Sequence, residues 1–565
     1  MITSAKLQVQ LIVDGCKRIG VKHVVLSPGS RNAPLSIAFD EDEQFEVTVV
    51  TDERSAAFVA LGMAQMKREP VAIACTSGTA ALNYYPAIAE AFYQEIPLIV
   101  LTADRPAEWV DQGDGQTIRQ TQVYDSMVLK SATVPEMFTD EHRWSVERTL
   151  SEVLQMAVSS RKGPVHLNVP FSEPLYETST SSQIIEKWTT VAACHHELSS
   201  DSLAILTKTW QQSTKRLIIV GQMHPSNGLK SILENIALDG SVAVLVEHTS
   251  NCFSPYFIST IDRTLSCIPA SELEQYNPDL IVSIGGAIVS KRVKTFLRNS
   301  KAVVVRFGES FPMMDTYQNL AFTAQISPET GLKILANFLL QQPKVSNFGF
   351  TWNKLNYYAG EKHIALTNQL EWCDLHVMKT LMDFVPEETQ LHLANSSVIR
   401  YALLFDPIQS IQYWCNRGAS GIDGSTSTAI GSAYRLANKQ HVLVTGDLSF
   451  FYDSNGLWQT KLPANLIIVL INNGGGDIFN YIPGPSSTNQ LKKIFVAEHR
   501  NHVKSLAEQF GLSYFYASTH TELDEAMEAL FVNNSEKMKI LEVNTMEGDN
   551  SKELNDYFRK FLTSN

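Results

Sequence analysis

An α/β chain of three doubly wound parallel-sheet domains is the architecture this sequence predicts, on three observations. At 565 residues with 44% hydrophobic side chains, the chain is long enough for about three or four domains of ordinary size. Short apolar runs alternate with segments of helical periodicity along its length, the pattern of strand-helix-strand units. Two stretches, residues 176–201 and 341–350, break the alternation and read as linkers, the first because it is rich in Ser and Thr. The expected domains therefore span residues 1–180, 200–342 and 350–565.

The first domain carries four apolar runs, His23–Ser27 (HVVLS), Val47–Thr51 (VTVVT), Val71–Thr76 (VAIACT) and Pro97–Ala103 (PLIVLTA), and Val165–Pro170 is expected to close it. All are short and rich in β-branched residues, as buried parallel strands are. The middle domain has its own runs at Leu217–Gly221, Val242–Val246, Leu280–Gly286 and Ala302–Phe307. Its Ile284-Gly285-Gly286 turn invites a nucleotide-fold reading, but no GxGxxG string follows the strand, and the domain reads as structural. In the third domain, His441–Thr445 (HVLVT) reads as a buried strand, Ser449–Lys461 as a helix and Leu466–Ile471 (LIIVLI) as the next buried strand.

That last unit carries chemistry. A right-handed crossover puts Gly446-Asp447 and Asn472-Asn473-Gly474-Gly475 side by side at the carboxyl ends of two parallel strands, where open α/β sheets bind ligands. One carboxylate, one amide oxygen and a turn carbonyl such as that of Gly475 suit a hard divalent cation that completes its shell with water and phosphate oxygens. The segment reads as a site for a magnesium-bridged diphosphate. A loop Asp and an Asn-Asn-Gly turn are also ordinary in α/β proteins, so a second motif has to decide. It is Thr51-Asp52-Glu53-Arg54-Ser55, between the strand Val47–Val50 and the helix Ala56–Met66. Alone, a Glu in a first helical turn is explained by the helix dipole.

Together the two motifs resemble those of thiamine diphosphate (ThDP) enzymes, which pair a GD…NN diphosphate and metal motif with a Glu after an early strand. The resemblance implies the ThDP superfamily fold, with a pyrimidine-binding domain at 1–180 and a diphosphate-binding domain at 350–565 flanking a central domain. It gives Glu53 the catalytic role: a carboxyl bonded to the aminopyrimidine N1′ favours the imino tautomer that removes the thiazolium C2 proton, and an apolar, partly buried setting suits that task. It also implies a homodimer or homotetramer with active sites shared between subunits.

Four further strings narrow the resemblance: Ser27-Pro28-Gly29-Ser30-Arg31-Asn32; Leu101-Thr102-Ala103-Asp104-Arg105-Pro106; Asn395-Ser396 with Arg400; and Asn416-Arg417-Gly418-Ala419-Ser420-Gly421-Ile422-Asp423-Gly424. In content and order they resemble the 2-succinyl-5-enolpyruvyl-6-hydroxy-3-cyclohexene-1-carboxylate synthases of menaquinone biosynthesis, from about residue 5 to the final strand. The family implies decarboxylation of 2-oxoglutarate and 1,4-addition of the succinyl carbanion to isochorismate, with ThDP and Mg2+ (or Mn2+) as cofactors. Both substrates carry two carboxylates, which guanidinium groups bind as bidentate forks.

By the family pattern, Ser396, Arg400 and Arg417 hold the succinyl side, and Ser30, Arg31, Arg105, Gln116, Lys291 and Arg292 surround the isochorismate carboxylates. Asp447, Asn473 and Gly475 hold the metal. Gly418, Gly446, Leu448 and Ser449 line the cofactor, Ile422 lies under its bend, and Ile478 and Phe479 wall its diphosphate and thiazolium side. Two departures stand out. After Asn473 this chain reads Gly474-Gly475-Gly476-Asp477 where the family often has Asp and then three glycines, and Asp114-Gly115 precedes Gln116 where Ala-Pro or Ala-Asn is common.

The formal net charge of −13 does not forbid a local cationic site. No basic tract suits nucleic acid, no run approaches the roughly 18 apolar residues that span a bilayer, and no basic start precedes an apolar stretch at the N-terminus, so a cytoplasmic protein is expected. The seven scattered cysteines read as reduced, packed thiols. Cys194-His195-His196 makes a poor zinc site, its ligands being consecutive in a polar linker, and the charged C-terminal helix around Asp549–Phe561 reads as a solvated face. Two readings compete. One is another ThDP enzyme, such as an acetohydroxyacid synthase or simple 2-oxoacid decarboxylase, against which the Arg-bearing strings argue. The other is a non-catalytic relative, against which Glu53, Asp447 and Asn473 argue together.

Overall fold

The structure, a computed structural model, describes residues 2–563 except 195, 342, 343, 345, 483 and 533–535. Its contacts divide it into two compact units, one holding the chain up to Ala193 together with Asn416–His441 and Ser449–Leu466, the other Cys194–Cys415, Val442–Leu448 and the chain from Ile467 onward.

In the first unit, six parallel strands form one sheet in the order Glu46–Val49, His23–Leu26, Val71–Cys75, Leu98–Asp104, Val165–Pro170 and Ser131–Thr133. Every residue of Val71–Cys75 and Leu98–Asp104 is buried, as central strands covered on both faces must be. The strand order reverses between His23–Leu26 and Val71–Cys75, which opens a crevice at their carboxyl ends; Ser30 and Arg31 follow the first of these strands. The helix Glu53–Lys67 packs on the helix Ser425–Arg435, and two glycines set the closeness. A Cβ on Gly62 would lie 2.0 Å from the Thr428 carbonyl, and one on Gly431 1.9 Å from that of Val59. The Ser/Thr-rich stretch expected to be a linker lies along the domain: Ile185 is buried, its N–H bonded to Asp14 Oδ2 at 2.9 Å, and Lys187 N–H bonds Glu147 Oε2 at 3.1 Å.

The second unit contains two more sheets. One is parallel, in the order Val242–Val246, Arg216–Val220, Leu280–Ile284, Val303–Phe307 and Leu320–Ala324. The other runs Gln412–Trp414, Gln390–Leu393, His441–Gly446, Leu466–Asn472, Lys539–Asn544 and Ser513–Ala517. A single apolar core serves both. In the last sheet the order reverses between Gln390–Leu393 and His441–Gly446, so the segments starting at Ser396 and Asp447 flank its switch point. The second expected linker includes residues 342, 343 and 345, outside the described set, and the chain is helical again over Phe348–Thr367.

Two expectations need correction. The helix expected over Ser449–Lys461 runs only Asp447–Tyr452, followed by a short 3-10 turn at Ser454–Leu457. Asp453 leaves helical geometry at φ −112°, ψ 22° because its buried carboxylate accepts the N–H and hydroxyl of Ser427 at 2.7 and 2.8 Å, capping the neighbouring helix instead of continuing its own. The C-terminal helix, Asn550–Thr563, is not simply a solvated face: Leu554, Tyr557 and Phe561 are buried, and the Tyr557 hydroxyl meets His363 Nδ1 at 2.7 Å. Leu554, Tyr557 and Phe561 follow one stripe of the helix, which its many charges conceal.

Candidate active site

In the first unit Glu53 is the first residue of its helix. Asp52 caps it, Oδ1 accepting the Ser55 N–H at 3.0 Å, while Oδ2 accepts from Asn455 Nδ2 at 2.7 Å, so the chain's entry into the helix is held from two sides. Glu53 is half-buried. Burial, and then the negative charge of Glu53, push the Cys75 thiol upward.

Arg31 is buried, its Nη1 donating to the Phe171 carbonyl at 3.1 Å and lying 3.2 Å from Glu173 Oε1, whereas Ser30 is exposed. Arg105 Nε pairs with Asp114 Oδ2 at 2.8 Å, and Nε and Nη2 both donate to the Gly115 carbonyl at 3.1 Å. Gln116 sits at φ 51°, its carbonyl accepting from Ser77 Oγ at 2.8 Å. Asp104 Oδ1 accepts the Arg105 backbone N–H at 2.8 Å; burial raises its carboxyl pKa, against the lowering effects of the Asn168 side chain, that N–H and the Arg31 charge. The Asp114-Gly115 departure is therefore an internal carboxylate on an arginine expected to bind substrate.

The segment 417–424 is anchored by a residue the sequence did not single out. Glu90, 2% exposed, accepts the N–H of Gly418 and of Ala419, each at 2.6 Å, and a Cβ on Gly418 would lie 2.6 Å from the Glu90 carbonyl. Burial raises the pKa of this carboxyl. A lone Glu on an apolar helix (YPAIAEAFYQ) was the available signal. Arg417 is half-buried. Ile422 leaves 39% of its surface exposed, and its carbonyl accepts from Ser449 Oγ at 2.6 Å.

In the second unit Asp447 is 2% exposed. Its Oδ2 accepts the N–H of Gly474 and Gly475 at 2.8 and 2.9 Å and lies 3.3 Å from His499 Nε2, while Oδ1 accepts the Leu448 N–H at 2.6 Å. Burial raises its pKa, opposed first by His499 and then by those backbone donors. Gly474 and Gly475 adopt φ 80° and 150°, positive-φ conformations that suit glycine. Asn473 donates from Nδ2 to Asp374 Oδ2 at 2.8 Å, and its Oδ1 is buried and makes no hydrogen bond. Asp374 is 1% exposed, its carboxyl pushed up to about 7 by burial and by the charge of Asp477.

Asp477, the displaced acid, starts a short turn and accepts from Asn480 Nδ2 at 2.5 Å. The Gly475 carbonyl accepts the Asp477 N–H at 3.0 Å, which leaves one lone pair. Ile478 is buried, and Phe479 lies 5.8 Å from Phe495, ring to ring. A Cβ on Gly446 would meet nothing within 4 Å, so the strand end is open there.

Ser396 adopts φ 75°, ψ −124°, a strained conformation for a residue with a Cβ, and leads into the short helix carrying Arg400, whose buried Nε makes no hydrogen bond. Lys291 and Arg292 are exposed at the start of the helix Lys291–Ser300. Glu247 accepts the N–H of Val289 and Ser290 at 2.7 and 2.8 Å, and Arg292 stacks 4.0 Å above the Phe558 ring. Burial raises the Asp262 carboxyl, opposed by the Ser290 hydroxyl and then by the charges of Arg292, Arg400 and Lys294.

The donor set fits a hard cation: a carboxylate, a carbonyl and a buried amide oxygen with no partner. Among the described residues no three His, Cys, Asp or Glu converge as a metal site; His195 of the Cys194-His195-His196 string lies outside them. No helix among them is long and apolar enough to cross a membrane.

Comparison with known proteins assigns the class. Residues 8–123 match the family model "Thiamine pyrophosphate enzyme, N-terminal TPP binding domain", and residues 397–543 its C-terminal counterpart, so the chain is a thiamine pyrophosphate enzyme. It is 38% identical over 553 residues to the 2-succinyl-5-enolpyruvyl-6-hydroxy-3-cyclohexene-1-carboxylate synthase of Flavobacterium johnsoniae, covering 98% of each chain. It is 36% identical over 564 residues to the synthase of that name in Porphyromonas gingivalis, covering 98% of this chain and 97% of the relative. The chain belongs to the 2-succinyl-5-enolpyruvyl-6-hydroxy-3-cyclohexene-1-carboxylate synthase family.

Proposed function

We propose that the chain decarboxylates 2-oxoglutarate and adds the succinyl unit in 1,4 fashion to isochorismate, giving 2-succinyl-5-enolpyruvyl-6-hydroxy-3-cyclohexene-1-carboxylate and carbon dioxide in menaquinone biosynthesis. The observation that carries the reading is the Asp447 and Asn473 pair at the ends of adjacent strands, with Asn473 Oδ1 buried and unpartnered. When bound, ThDP supplies a nucleophilic carbon and an electron sink for decarboxylation. Glu53 holds a proton at the aminopyrimidine N1′. Asp447, the Asn473 amide oxygen and the Gly475 carbonyl hold Mg2+ or Mn2+, Gly446, Leu448, Ser449 and Gly418 line the diphosphate and pyrimidine, and Ile422, Ile478 and Phe479 provide apolar walls. Arg400, Arg417 and Ser396 orient the succinyl carboxylates, and Arg31, Arg105, Lys291, Arg292, Ser30 and Gln116 those of isochorismate. The protein works in the cytoplasm as a homodimer or homotetramer with shared sites, its domains at 1–180, 200–342 and 350–565.

The test is incubation with ThDP, Mg2+, 2-oxoglutarate and isochorismate, omitting each in turn and following product mass. The succinyl adduct is expected only from the complete mixture. Carbon dioxide released with isochorismate untouched would favour another ThDP carboligase, and no reaction at all would reject the proposal.

The Asp114 carboxylate on Arg105 gives a specific expectation. It neutralises a guanidinium that the isochorismate carboxylate must reach, so Asp114→Asn lowers KM for isochorismate about two- to five-fold, the scale of a partly exposed ion pair. KM for 2-oxoglutarate stays put. Steady-state kinetics with each substrate varied separately read the difference.

A further inference from the structure

Asp374 touches no expected substrate group and lies far along the chain from Asp447 and Asn473, yet its carboxylate ends on the amide of Asn473. Its position is tightly specified. It is the first residue of the helix Asp374–Phe384, and its own N–H donates to Asn550 Oδ1 at 2.7 Å. Oδ1 accepts from Thr545 Oγ1 at 2.6 Å, and Oδ2 accepts from Asn473 Nδ2 at 2.8 Å.

An Asn side chain presents nearly the same shape whichever way its amide is turned, but only one end can bind a cation. The oxygen is a ligand; the NH2 group is a pair of donors. Packing cannot distinguish the two orientations, and a hydrogen-bond partner of fixed polarity can. Asp374 Oδ2 is the acceptor here, 2.8 Å from Asn473 Nδ2, so it takes the NH2 end of Asn473 and turns the oxygen the other way. The buried Asn473 Oδ1 has no hydrogen bond, and a buried acceptor without a partner costs about 1–3 kcal/mol unless a ligand satisfies it.

We propose that Asp374 is a positioning residue that holds the Asn473 amide with its oxygen toward the divalent cation. The proposal rests on the reading of Asp447 and Asn473 as cation ligands. It gives the cation site a buried carboxylate outside the ligand set whose task is to fix amide polarity, as outer groups fix the tautomer of metal-bound histidines. The Thr545 hydroxyl keeps that carboxylate from rotating away, and Asn550 holds the backbone N–H of the residue that carries it.

The experiment titrates Mn2+ into the full chain with saturating ThDP and reads free Mn2+ by electron paramagnetic resonance, with melting temperature followed in parallel. Asp374→Asn can donate to the Asn473 oxygen and turn the amide over, so Mn2+ affinity falls about 10- to 100-fold, the range for lost outer-shell partners, while melting changes little. The swap Asp374→Asn with Asn473→Asp supplies the rescue. A carboxylate at 473 presents oxygen in either orientation, the amide at 374 donates to it, and Mn2+ affinity is expected to recover. If Asp374→Asn binds Mn2+ as wild type does while Asp447→Asn does not, the positioning role is wrong and the ligand reading survives. If Asp374→Asn weakens binding and the swap does not restore it, the effect is general disruption and the proposal falls. If neither Asp447→Asn nor Asn473→Ala alters Mn2+ binding, the ligand reading itself fails.

Discussion

Glu53→Gln lowers turnover about 100- to 10,000-fold, the usual contribution of a positioned acid or base, with ThDP affinity largely preserved. Gln matches Glu in volume and keeps an acceptor, so the loss is confined to proton exchange with N1′. The fold around it does not depend on the charge: the helix is capped by Asp52 through Ser55 N–H, and Asp52 is itself held by Asn455. What the charge adds to the helix, about 0.3–1 kcal/mol from a first-turn acid, is small beside the kinetic effect. Turnover in the complete mixture and ThDP binding by calorimetry separate the two. Full turnover in Glu53→Gln would remove Glu53 from the chemistry, and lost ThDP binding would make it a binding residue instead. Glu53→Asp, which keeps the proton but withdraws it by one methylene, is expected to fall between.

What the sequence made legible is what local patterns encode. Short β-branched runs gave the strands, since parallel strands buried on both faces need no alternation. Asp447, Asn473 and Glu53 stood out because each follows a strand, and the strand orders put Ser30, Arg31, Ser396 and Asp447 beside switch points. Missed were acids whose partners lie far away in the chain. Glu90 bonds to Gly418 and Ala419, Glu247 to Val289 and Ser290, and Asp374 to Asn473 and Thr545; no spacing announces such pairs, because tertiary packing alone brings them together. Asp453 looked like one more helix residue for the same reason, its carboxylate being engaged by Ser427. In the C-terminal helix charge misled, hiding the buried stripe and the Phe558 ring beneath Arg292.

Asp447 has two tasks, and two substitutions pull them apart. Its carboxylate is the one charged ligand expected for the cation, and the same group accepts the N–H of Leu448, Gly474 and Gly475. Asp447→Ala leaves those backbone donors without an acceptor, at about 1–3 kcal/mol for each that stays buried and unsatisfied, so the cofactor-free protein melts well below wild type. Asp447→Asn keeps one oxygen, which can turn toward the two glycine N–H groups, so cofactor-free stability drops less. Both variants lose the charge expected to hold Mg2+. Wild type is expected to gain melting temperature when ThDP and Mg2+ are added together, because a ligand bound only by the folded state stabilises it; neither variant is expected to show that gain. Differential scanning calorimetry with and without the pair reads both effects in one experiment. Should Asp447→Asn keep the full cofactor-dependent gain, the carboxylate serves the Gly474-Gly475 turn and not the cation. Should Asp447→Ala melt like wild type without cofactor, the backbone contacts carry little, and the loss of Mg2+ alone accounts for the inactivity expected of it.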